Sequence, residues 1–177
     1  SVLVVLDCAY FEYVNKSDYV DPFVLLNKFD NLIVTKSFSK IQGLASVRIG
    51  YGIASPELIE VLNRIRQPFN VNSLAQELAF VAINDKEHIQ NSVELNSLEG
   101  AFLSAKLSEL GFECIPSVGN FISFKGSFNG QEMFTKLMEK GVIVRPIDSY
   151  DMPDFLRVTI GRHDENIRFL AELKALL

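Results

Sequence analysis

The chain has 177 residues, of which 48% are hydrophobic and 22% charged, an ordinary globular composition that allows one domain or two small ones. Its formal net charge of −5 and its pI near 5.1 argue against a nucleic-acid-binding surface, which needs a basic face. No apolar run approaches the roughly 18–20 residues that span a bilayer, and no signal peptide is visible, so we expect a cytoplasmic protein with neither membrane nor nucleic-acid partners.

The chain opens with Ser1, without a Met, and enters an apolar pattern at once over residues 2–6. A continuous apolar run of this length predicts a buried parallel strand, which ends at Asp7. Such a strand needs neighbours on both sides. We therefore expect the chain to be a fragment of a longer protein, although loss of an initiator Met or of a tag would also explain this start.

The rest of the first half alternates between strands and helices. Apolar runs predict a second strand at residues 31–35 and a third at residues 47–54. Ser55 followed by Pro56 is typical of a helix start, with a capping hydroxyl and a proline in the first helical position. Another helix is predicted from residue 73 to about residue 83. This order predicts a piece of an α/β sheet.

The second half begins with the longest helical pattern, from Lys86 to Leu110, which Gly111 can cap. The elements beyond it are short. The predicted strands cover residues 112–115, 120–124, 142–144 and 155–160, and the predicted helices cover residues 130–140 and 164–176. The second half therefore reads as a compact α+β unit, and we place the domain boundary between residues 90 and 91, inside the long helix.

The cysteines and histidines give no sign of a metal site. Cys8 and Cys114 are far apart in sequence, which favours free thiols in a reducing compartment. There is no C-x-x-C motif, and the histidines His88 and His163 are isolated. We expect both histidines to be surface or capping residues.

The most informative segment of the chain surrounds Lys40. This lysine lies just beyond a predicted strand, between the hydroxyls of Ser37 and Ser39 and an arginine, Arg48, eight residues later. An aldehyde cofactor that carries a phosphate needs such parts: an amine to condense with the aldehyde, and hydroxyls with a cation for the phosphate. The alternative is a loop lysine near a surface arginine.

A second group of candidate residues follows the first strand. Asp7 ends that strand, where open α/β sheets bind their ligands, and a carboxylate there can keep a pyridine nitrogen protonated. Tyr10, three residues later, could reach a ring hydroxyl. Each also has a structural interpretation, as a turn aspartate and a packed aromatic. Since Asp7 and Lys40 end successive strands, we expect them to share one crevice.

Four motifs together resemble those of fold-type I aminotransferases, which use pyridoxal 5'-phosphate. The motifs are Asp7-Cys8-Ala9-Tyr10, Ser37-Phe38-Ser39-Lys40, Gly43-Leu44-Ala45 and Arg48-Ile49-Gly50-Tyr51. Residues 66–72, 141–146 and 156–161 are similar to segments typical of histidinol-phosphate aminotransferases. The resemblance covers essentially the whole chain. It implies an α/β fold class: the C-terminal part of the large cofactor-binding domain, with a mixed, mostly parallel sheet, at residues 1–90, and the small α+β domain at residues 91–177.

The resemblance also implies roles for individual side chains. Lys40 would bind the cofactor aldehyde and then carry a proton between the substrate and the cofactor. Asp7 would pair with the pyridinium nitrogen, and Tyr10 would hydrogen-bond the phenolic oxygen. The residues that would bind the cofactor phosphate are Ser37, Ser39 and Arg48.

On the substrate side, Arg157 would hold the α-carboxylate, and Asn120 would line the pocket. Without the resemblance, these two would be a surface arginine with a nearby partner and a turn residue. Arg145 is interpreted as structural. The chain departs from its relatives at Cys8, where they often carry Glu, and before Tyr150, where they often carry glycine, so the loop near the substrate is expected to differ.

The activity implied is transfer of an amino group between histidinol phosphate and 2-oxoglutarate, a step of histidine biosynthesis. Alternatives of the same fold are an aromatic aminotransferase and a phospho-amino-acid decarboxylase. A further alternative is a non-catalytic fragment that serves packing or dimerisation, since the family usually forms homodimers. Such enzymes have an N-terminal half with a phosphate cradle and a ring that stacks on the cofactor, and no segment here matches these parts. We therefore expect the chain alone to be inactive.

Overall fold

The computed structural model describes residues 2–177, and the chain divides into two units, one ending at Asn91 and the other covering Ser92–Leu177. The strands are β1 (Val4–Asp7), β2 (Leu32–Ser37), β3 (Gly50–Ile53), β4 (Glu113–Ile115), β5 (Phe121–Lys125), β6 (Arg145–Ile147) and β7 (Met152–Thr159). The helices are α1 (Pro22–Leu26), α2 (Pro56–Ile65), α3 (Ser73–Asn84), α4 (Lys86–Glu109), α5 (Gly130–Glu139) and α6 (His163–Lys174). Short 3₁₀ turns cover Phe11–Tyr13, Ala45–Val47 and Asp148–Tyr150.

The sheet of the first unit has the order β1-β2-β3. Strand β1 is parallel to β2, with Asp7 opposite Thr35, and β3 is antiparallel to β2, with Gly50 opposite Ser37. The predicted α/β character is confirmed, with one parallel and one antiparallel pairing in this sheet. Because β1 and β2 are parallel, their carboxyl ends lie at the same edge of the sheet.

Strand β1 differs from the prediction in its burial. Val4 and Val5 are 46% and 59% exposed, whereas Val34 of the neighbouring β2 is fully buried. Within residues 2–177, β1 is an edge strand that pairs with β2 alone. It therefore lacks the second neighbour that a continuous apolar run needs for burial.

The third strand is shorter than its apolar run predicts. Residues 45–47 form a 3₁₀ turn, and Arg48 has a left-handed backbone with φ of 57°, so the strand begins only at Gly50. A Cβ atom at Gly50 would lie 2.7 Å from the backbone oxygen of Lys36. The antiparallel pairing at this end of β2 therefore requires a glycine.

The helix starts of the first unit follow their capping residues. The Ser55 side chain accepts a hydrogen bond from the Leu58 amide at the start of α2, as predicted. The Asn72 side chain caps α3 in the same way. Helix α1 was not predicted, although Asp21 and Pro22 carry the usual start signals. It has only five residues, too few to show a helical hydrophobic period.

Helix α4 is the long helix that the sequence predicts. Gly111 follows it with φ of 88°, and the Phe112 amide donates to the Leu107 carbonyl, which closes the helix end. No helix within residues 2–177 combines the length and apolar character needed to cross a membrane.

The sheet of the second unit is entirely antiparallel, with the order β4-β5-β7-β6. This confirms the predicted α+β unit but not the position of one strand. Residues 142–144 do not form a strand, and β6 begins at Arg145. Gly141 has φ of 74°, and the Val142 amide donates to the Leu137 carbonyl, so this segment caps α5 instead of pairing.

The core of the second unit is a cluster of aromatic and aliphatic side chains between the sheet and its helices. Phe124 is fully buried, with its ring centroid 5.2 Å from that of Phe112 and 6.0 Å from that of Phe169. Leu156 and Val158 of β7 face the same core. Because side chains alternate along a strand, Arg157 between them points to the opposite face of the sheet.

Candidate functional site

The carboxyl edge of the parallel strand pair carries the first candidate residues. Asp7 is the last residue of β1 and is exposed. Its Oδ1 accepts a hydrogen bond from the Ala9 amide at 3.1 Å and lies 3.4 Å from the Thr35 hydroxyl on β2. The turn after β1 is thereby held with the carboxylate at the end of the strand, where α/β sheets bind their ligands.

Lys40 lies in the turn that follows β2. The Gly43 amide donates to the Lys40 carbonyl at 2.9 Å, which closes a tight turn, and Gly43 has φ of 70°. The Lys40 side chain is half-buried, and its Nζ lies 5.2 Å from the centroid of the Tyr10 ring. The structure therefore brings Lys40 and Tyr10 together, from the segments that follow β2 and β1.

The hydroxyls and the guanidinium expected to bind a phosphate also lie together. The Ser39 amide donates to Ser37 Oγ at 3.0 Å, and Arg48 Nη1 lies 3.5 Å from Ser39 Oγ and 2.7 Å from the Ala45 carbonyl. The left-handed backbone of Arg48 costs on the order of 1 kcal/mol in a non-glycine residue. Such strain is common at ligand sites.

These groups fit the cofactor that the resemblance implies. An exposed carboxylate, a half-buried amine and a cluster of two hydroxyls with one guanidinium are matched to a pyridine nitrogen, an aldehyde and a phosphate dianion. All of them belong to the first unit and lie at the carboxyl ends of β1 and β2 or in the segments that follow these strands. Which of these groups binds which part of the cofactor stays a prediction.

Sequence reasoning missed a buried ion pair beside this site. Lys36 of β2 is buried, and its Nζ donates to Glu12 Oε1 at 2.6 Å. The Nε2 of Gln42 lies 3.4 Å from the same carboxylate oxygen, and Nζ lies 4.3 Å from the centroid of the Phe11 ring. The available signal was the position of Lys36 directly after the apolar run of residues 31–35: if the strand continues through it, as β2 does, a buried ammonium needs an acidic partner.

The Glu12 carboxylate also acts on nearby tyrosines. Burial raises the pKa of Tyr13, and Glu12 and Tyr10 raise it further. Burial, followed by the Glu12 charge, raises the pKa of Tyr51. The charge of Glu12 therefore makes both of these tyrosines harder to ionise.

Cys8, one of the departures from the family motif, is a buried thiol. Burial raises its pKa, and a hydrogen bond with Tyr19 lowers it in part. The other cysteine, Cys114, is also a free thiol. A protonated, buried thiol packs as a small apolar side chain.

Arg157 lies in the second unit, on β7, with Ser123 and Arg145 as its strand neighbours. It is half-buried, and its guanidinium carbon lies 4.6 Å from the centroid of the Phe121 ring. A cation at this distance from an aromatic ring is attracted to its face, and a guanidinium carries the planar fork of donors that suits a carboxylate. The role of Arg157 as a substrate-binding residue stays a prediction.

Asn120 immediately precedes β5 and is half-buried. Its carbonyl accepts from the Ile160 amide at 2.9 Å, which ties the start of β5 to the end of β7.

The loop around Tyr150 lacks the glycine that relatives often carry before this tyrosine. In this loop Asp151, directly after Tyr150, has a left-handed backbone with φ of 59°.

The two histidines have structural partners. His88 Nε2 lies 2.8 Å from the Ile41 carbonyl, next to Lys40, and His163 Nδ1 lies 3.1 Å from Glu99 Oε1. Among residues 2–177, no group of His, Cys, Asp or Glu side chains is arranged to hold a metal ion.

Comparison with known proteins identifies the same family that the sequence motifs resemble. Residues 1–173 match the family model described as aminotransferase class I and II. Histidinol-phosphate aminotransferase 1 from Nitrosococcus oceani is 45% identical over 176 residues, which are 99% of this chain and 48% of that protein. The chain spans about half the length of the curated relatives it matches.

Solved structures show the same fold. A putative histidinol-phosphate aminotransferase from Erwinia carotovora atroseptica has a TM-score of 0.91 at 24% identity, over 98% of this chain and 50% of that one. Histidinol-phosphate aminotransferase from Sinorhizobium meliloti, solved in complex with pyridoxal-5'-phosphate, has a TM-score of 0.88 at 23% identity. The match covers 99% of this chain and 50% of that one. At these identities the likeness concerns the fold alone.

Proposed function

We propose that this chain, which belongs to the aminotransferase class I and II family, carries two key residues of a pyridoxal-phosphate-dependent aminotransferase. These are the lysine that binds the cofactor and the arginine that binds the substrate carboxylate. The observation that carries the proposal is the arrangement after β2, where Lys40 is held in a turn and Arg48 lies 3.5 Å from Ser39. We assign residues 1–90 to the large cofactor-binding domain and residues 91–177 to the small domain.

The candidate residues of the first unit divide the binding of the cofactor among them in this proposal. When bound, pyridoxal phosphate supplies an aldehyde that captures an amine and a ring that accepts the electron pair released at the substrate Cα. Lys40 would hold the aldehyde through Nζ, and the same nitrogen would carry the proton between the substrate Cα and the cofactor. Asp7 holds the proton on the pyridine nitrogen, and Tyr10 donates its hydroxyl to the phenolic oxygen. The residues that bind the phosphate are Ser37, Ser39 and Arg48.

The second unit supplies the substrate-binding groups. Arg157 binds the α-carboxylate of an amino-acid substrate or of 2-oxoglutarate through two parallel hydrogen bonds, and Asn120 lines the substrate side. The amino donor proposed is histidinol phosphate, since the curated relatives at 45–48% identity carry that name. A homodimer is proposed for the whole protein, in keeping with the family resemblance.

The proposal is tested by a transamination assay on the polypeptide encoded by the complete reading frame around this chain. Histidinol phosphate and 2-oxoglutarate are expected to give glutamate with a kcat/KM at least about tenfold above that of aromatic amino acids, because a donor without a phosphate would leave the groups that bind the proposed donor's phosphate unpaired. The 177-residue chain alone is expected to be inactive. Release of carbon dioxide from a phosphorylated amino acid, without amino transfer, would favour the decarboxylase instead.

The phosphate cluster gives a second prediction. In Arg48→Gln, the dissociation constant for pyridoxal phosphate is expected to rise about 10- to 100-fold, since a hydrogen bond to a charged group contributes roughly 1.5–3 kcal/mol. The constant is measured by absorbance titration of the longer polypeptide. Arg64→Gln is the matched control, because Arg64 lies in the same unit with a side chain that is 70% exposed and paired with Glu60. Equal losses in both variants would contradict the role of Arg48.

Arg157 gives a third prediction, for the substrate carboxylate. Arg157→Lys keeps the positive charge but loses the planar fork, so the KM for 2-oxoglutarate is expected to rise about tenfold or more, with a smaller change in kcat. Arg162→Lys is the control, since the Arg162 side chain is 68% exposed in the same unit. An unchanged KM in Arg157→Lys, measured by steady-state kinetics, would remove the residue from the substrate site.

A further inference from the structure

The carboxylate of Glu12 connects the two segments that carry Tyr10 and Lys40. Glu12 lies in the 3₁₀ turn that begins directly after Tyr10. Its Oε1 accepts from Lys36, on the strand that leads into the Lys40 turn, and from Gln42, inside that turn. One carboxylate oxygen therefore contacts both the strand and the turn that determine where Lys40 lies.

The ion pair is built into the interior of the unit. The side chains of Lys36 and Glu12 are 5% and 17% exposed, and the Lys36 Nζ lies 4.3 Å from the Phe11 ring centroid and 6.0 Å from that of Phe23. Two aromatic rings and a carboxylate thus enclose this ammonium. Exposed ion pairs contribute little, but a buried one strongly resists loss of either partner.

Gln42 adds a constraint on the turn. A carboxylate can only accept hydrogen bonds, so the Nε2 of Gln42 is the atom that faces Glu12. Its Oε1 is buried and has no hydrogen-bond partner within residues 2–177. The contact of Nε2 with Glu12 is therefore the hydrogen bond that links the end of this side chain to the ion pair.

We propose that Glu12 and Lys36 are positioning residues, whose buried ion pair, extended by Gln42, sets the spacing between Tyr10 and Lys40 and withholds the Lys36 amine from aldehydes. The inference rests on the proposed function, because it concerns which lysine receives the cofactor aldehyde. In that step a neutral lysine nitrogen forms a double bond to the aldehyde carbon, and the aldehyde oxygen leaves as water. Lys36 and Lys40 are only four residues apart, and the ion pair determines that, of these two lysines, Lys40 reacts.

The first experiment traps the aldehyde on the 177-residue chain with borohydride and identifies the modified lysine by peptide mass spectrometry. The wild type is expected to be modified at Lys40 and not at Lys36. In Glu12→Gln and Lys36→Met, modification of Lys40 is expected to slow by about 10- to 100-fold, as for small displacements of reacting groups. Lys36→Arg keeps the ion pair and is expected to restore the rate.

Glu60→Gln is the matched control, since it removes the carboxylate of the exposed pair with Arg64 in the same unit and is expected to leave the rate unchanged. Gln42→Met is a milder variant that leaves the ion pair intact, and it covers the case in which Glu12→Gln does not fold. It is expected to slow Lys40 modification less than Lys36→Met does. A folded Lys36→Met or Gln42→Met with the wild-type rate at Lys40 would overturn the proposal.

A second experiment is independent of the cofactor. Brief treatment with acetic anhydride, read for each lysine by mass spectrometry, is expected to spare Lys36 in the wild type and to modify it in Glu12→Gln. If Lys36 is spared in both proteins, the ion pair does not protect it and the inference fails. If acetylation behaves as expected but no aldehyde is trapped at Lys40 of the wild type, the proposed function fails while the protection of Lys36 by Glu12 is supported.

Discussion

Lys40→Ala is expected to abolish the borohydride-trapped adduct of pyridoxal phosphate. It removes the only nitrogen that we place at the aldehyde carbon, and the same change removes the group that moves the proton. In the longer polypeptide, transamination is expected to fall by at least about 10²- to 10⁴-fold, the range of general acid–base catalysis. The adduct is measured by mass spectrometry of reduced peptides, and the rate by glutamate formation.

Lys28→Ala is the control for this prediction, because Lys28 is an exposed lysine in the same unit. It is expected to leave both the adduct and the rate unchanged. Persistence of the adduct in Lys40→Ala, at any other lysine and at the wild-type rate, would show that the aldehyde is not directed by the turn after β2. The non-catalytic interpretation of the chain predicts a different result, no adduct in the wild type.

Leu156→Ala is expected to lower the free energy of unfolding of the second unit by about 2–5 kcal/mol, the range for a fully buried leucine that leaves a cavity. Leu156 is fully buried on β7 and pairs with Phe124 across the sheet. Its loss also loosens the strand that carries Arg157. Urea denaturation followed by circular dichroism measures the change.

The matched control is Leu98→Ala, since Leu98 lies in the helical part of the same unit and is 73% exposed. A change of at most about 0.5 kcal/mol is expected there, because alanine favours the helix and little apolar surface is lost. Similar losses in the two variants would mean that the core of the second unit does not lie where the structure has it.

Local signals predicted much of the fold correctly. Ser55 and Pro56 predicted the start of α2, and the periodic pattern after Lys86 predicted the end of the long helix to within one residue. These features depend on residues close in sequence, namely a capping hydroxyl and a repeated apolar spacing. The order of strands and helices followed from the same signals, and with it the α/β and α+β character of the two units.

The differences between the predicted and observed elements have separate causes. Residues 142–144 are apolar enough for a strand, but the amide of Val142 is used to close α5 through Leu137. The third strand begins late because Arg48 adopts a left-handed backbone, which its sequence does not signal. The apolar run of β1 is exposed because, within residues 2–177, this strand has β2 as its single neighbour in the sheet.

The candidate site also combines features that a short stretch of sequence shows with features that depend on the fold. The motif around Lys40 carried its chemistry in a short stretch of sequence, and the contact between Ser39 and Arg48 lies within it. The pair of Lys36 and Glu12 joins residues 24 positions apart and depends on the fold that brings the two segments together. Extending the predicted strand to Ser37, where β2 ends, would have placed Lys36 in the sheet without identifying its partner.

The exposed edge of β1 has a consequence for the behaviour of the chain in solution. Such an edge, with valines exposed to water, is a template on which another copy can add a strand. The formal charge of −5 opposes such an encounter, because like-charged molecules repel one another over roughly 10 Å at about 0.1 M salt. Charge repulsion therefore keeps copies of the isolated polypeptide apart, and added salt, which screens this repulsion, is expected to shorten the time before they associate.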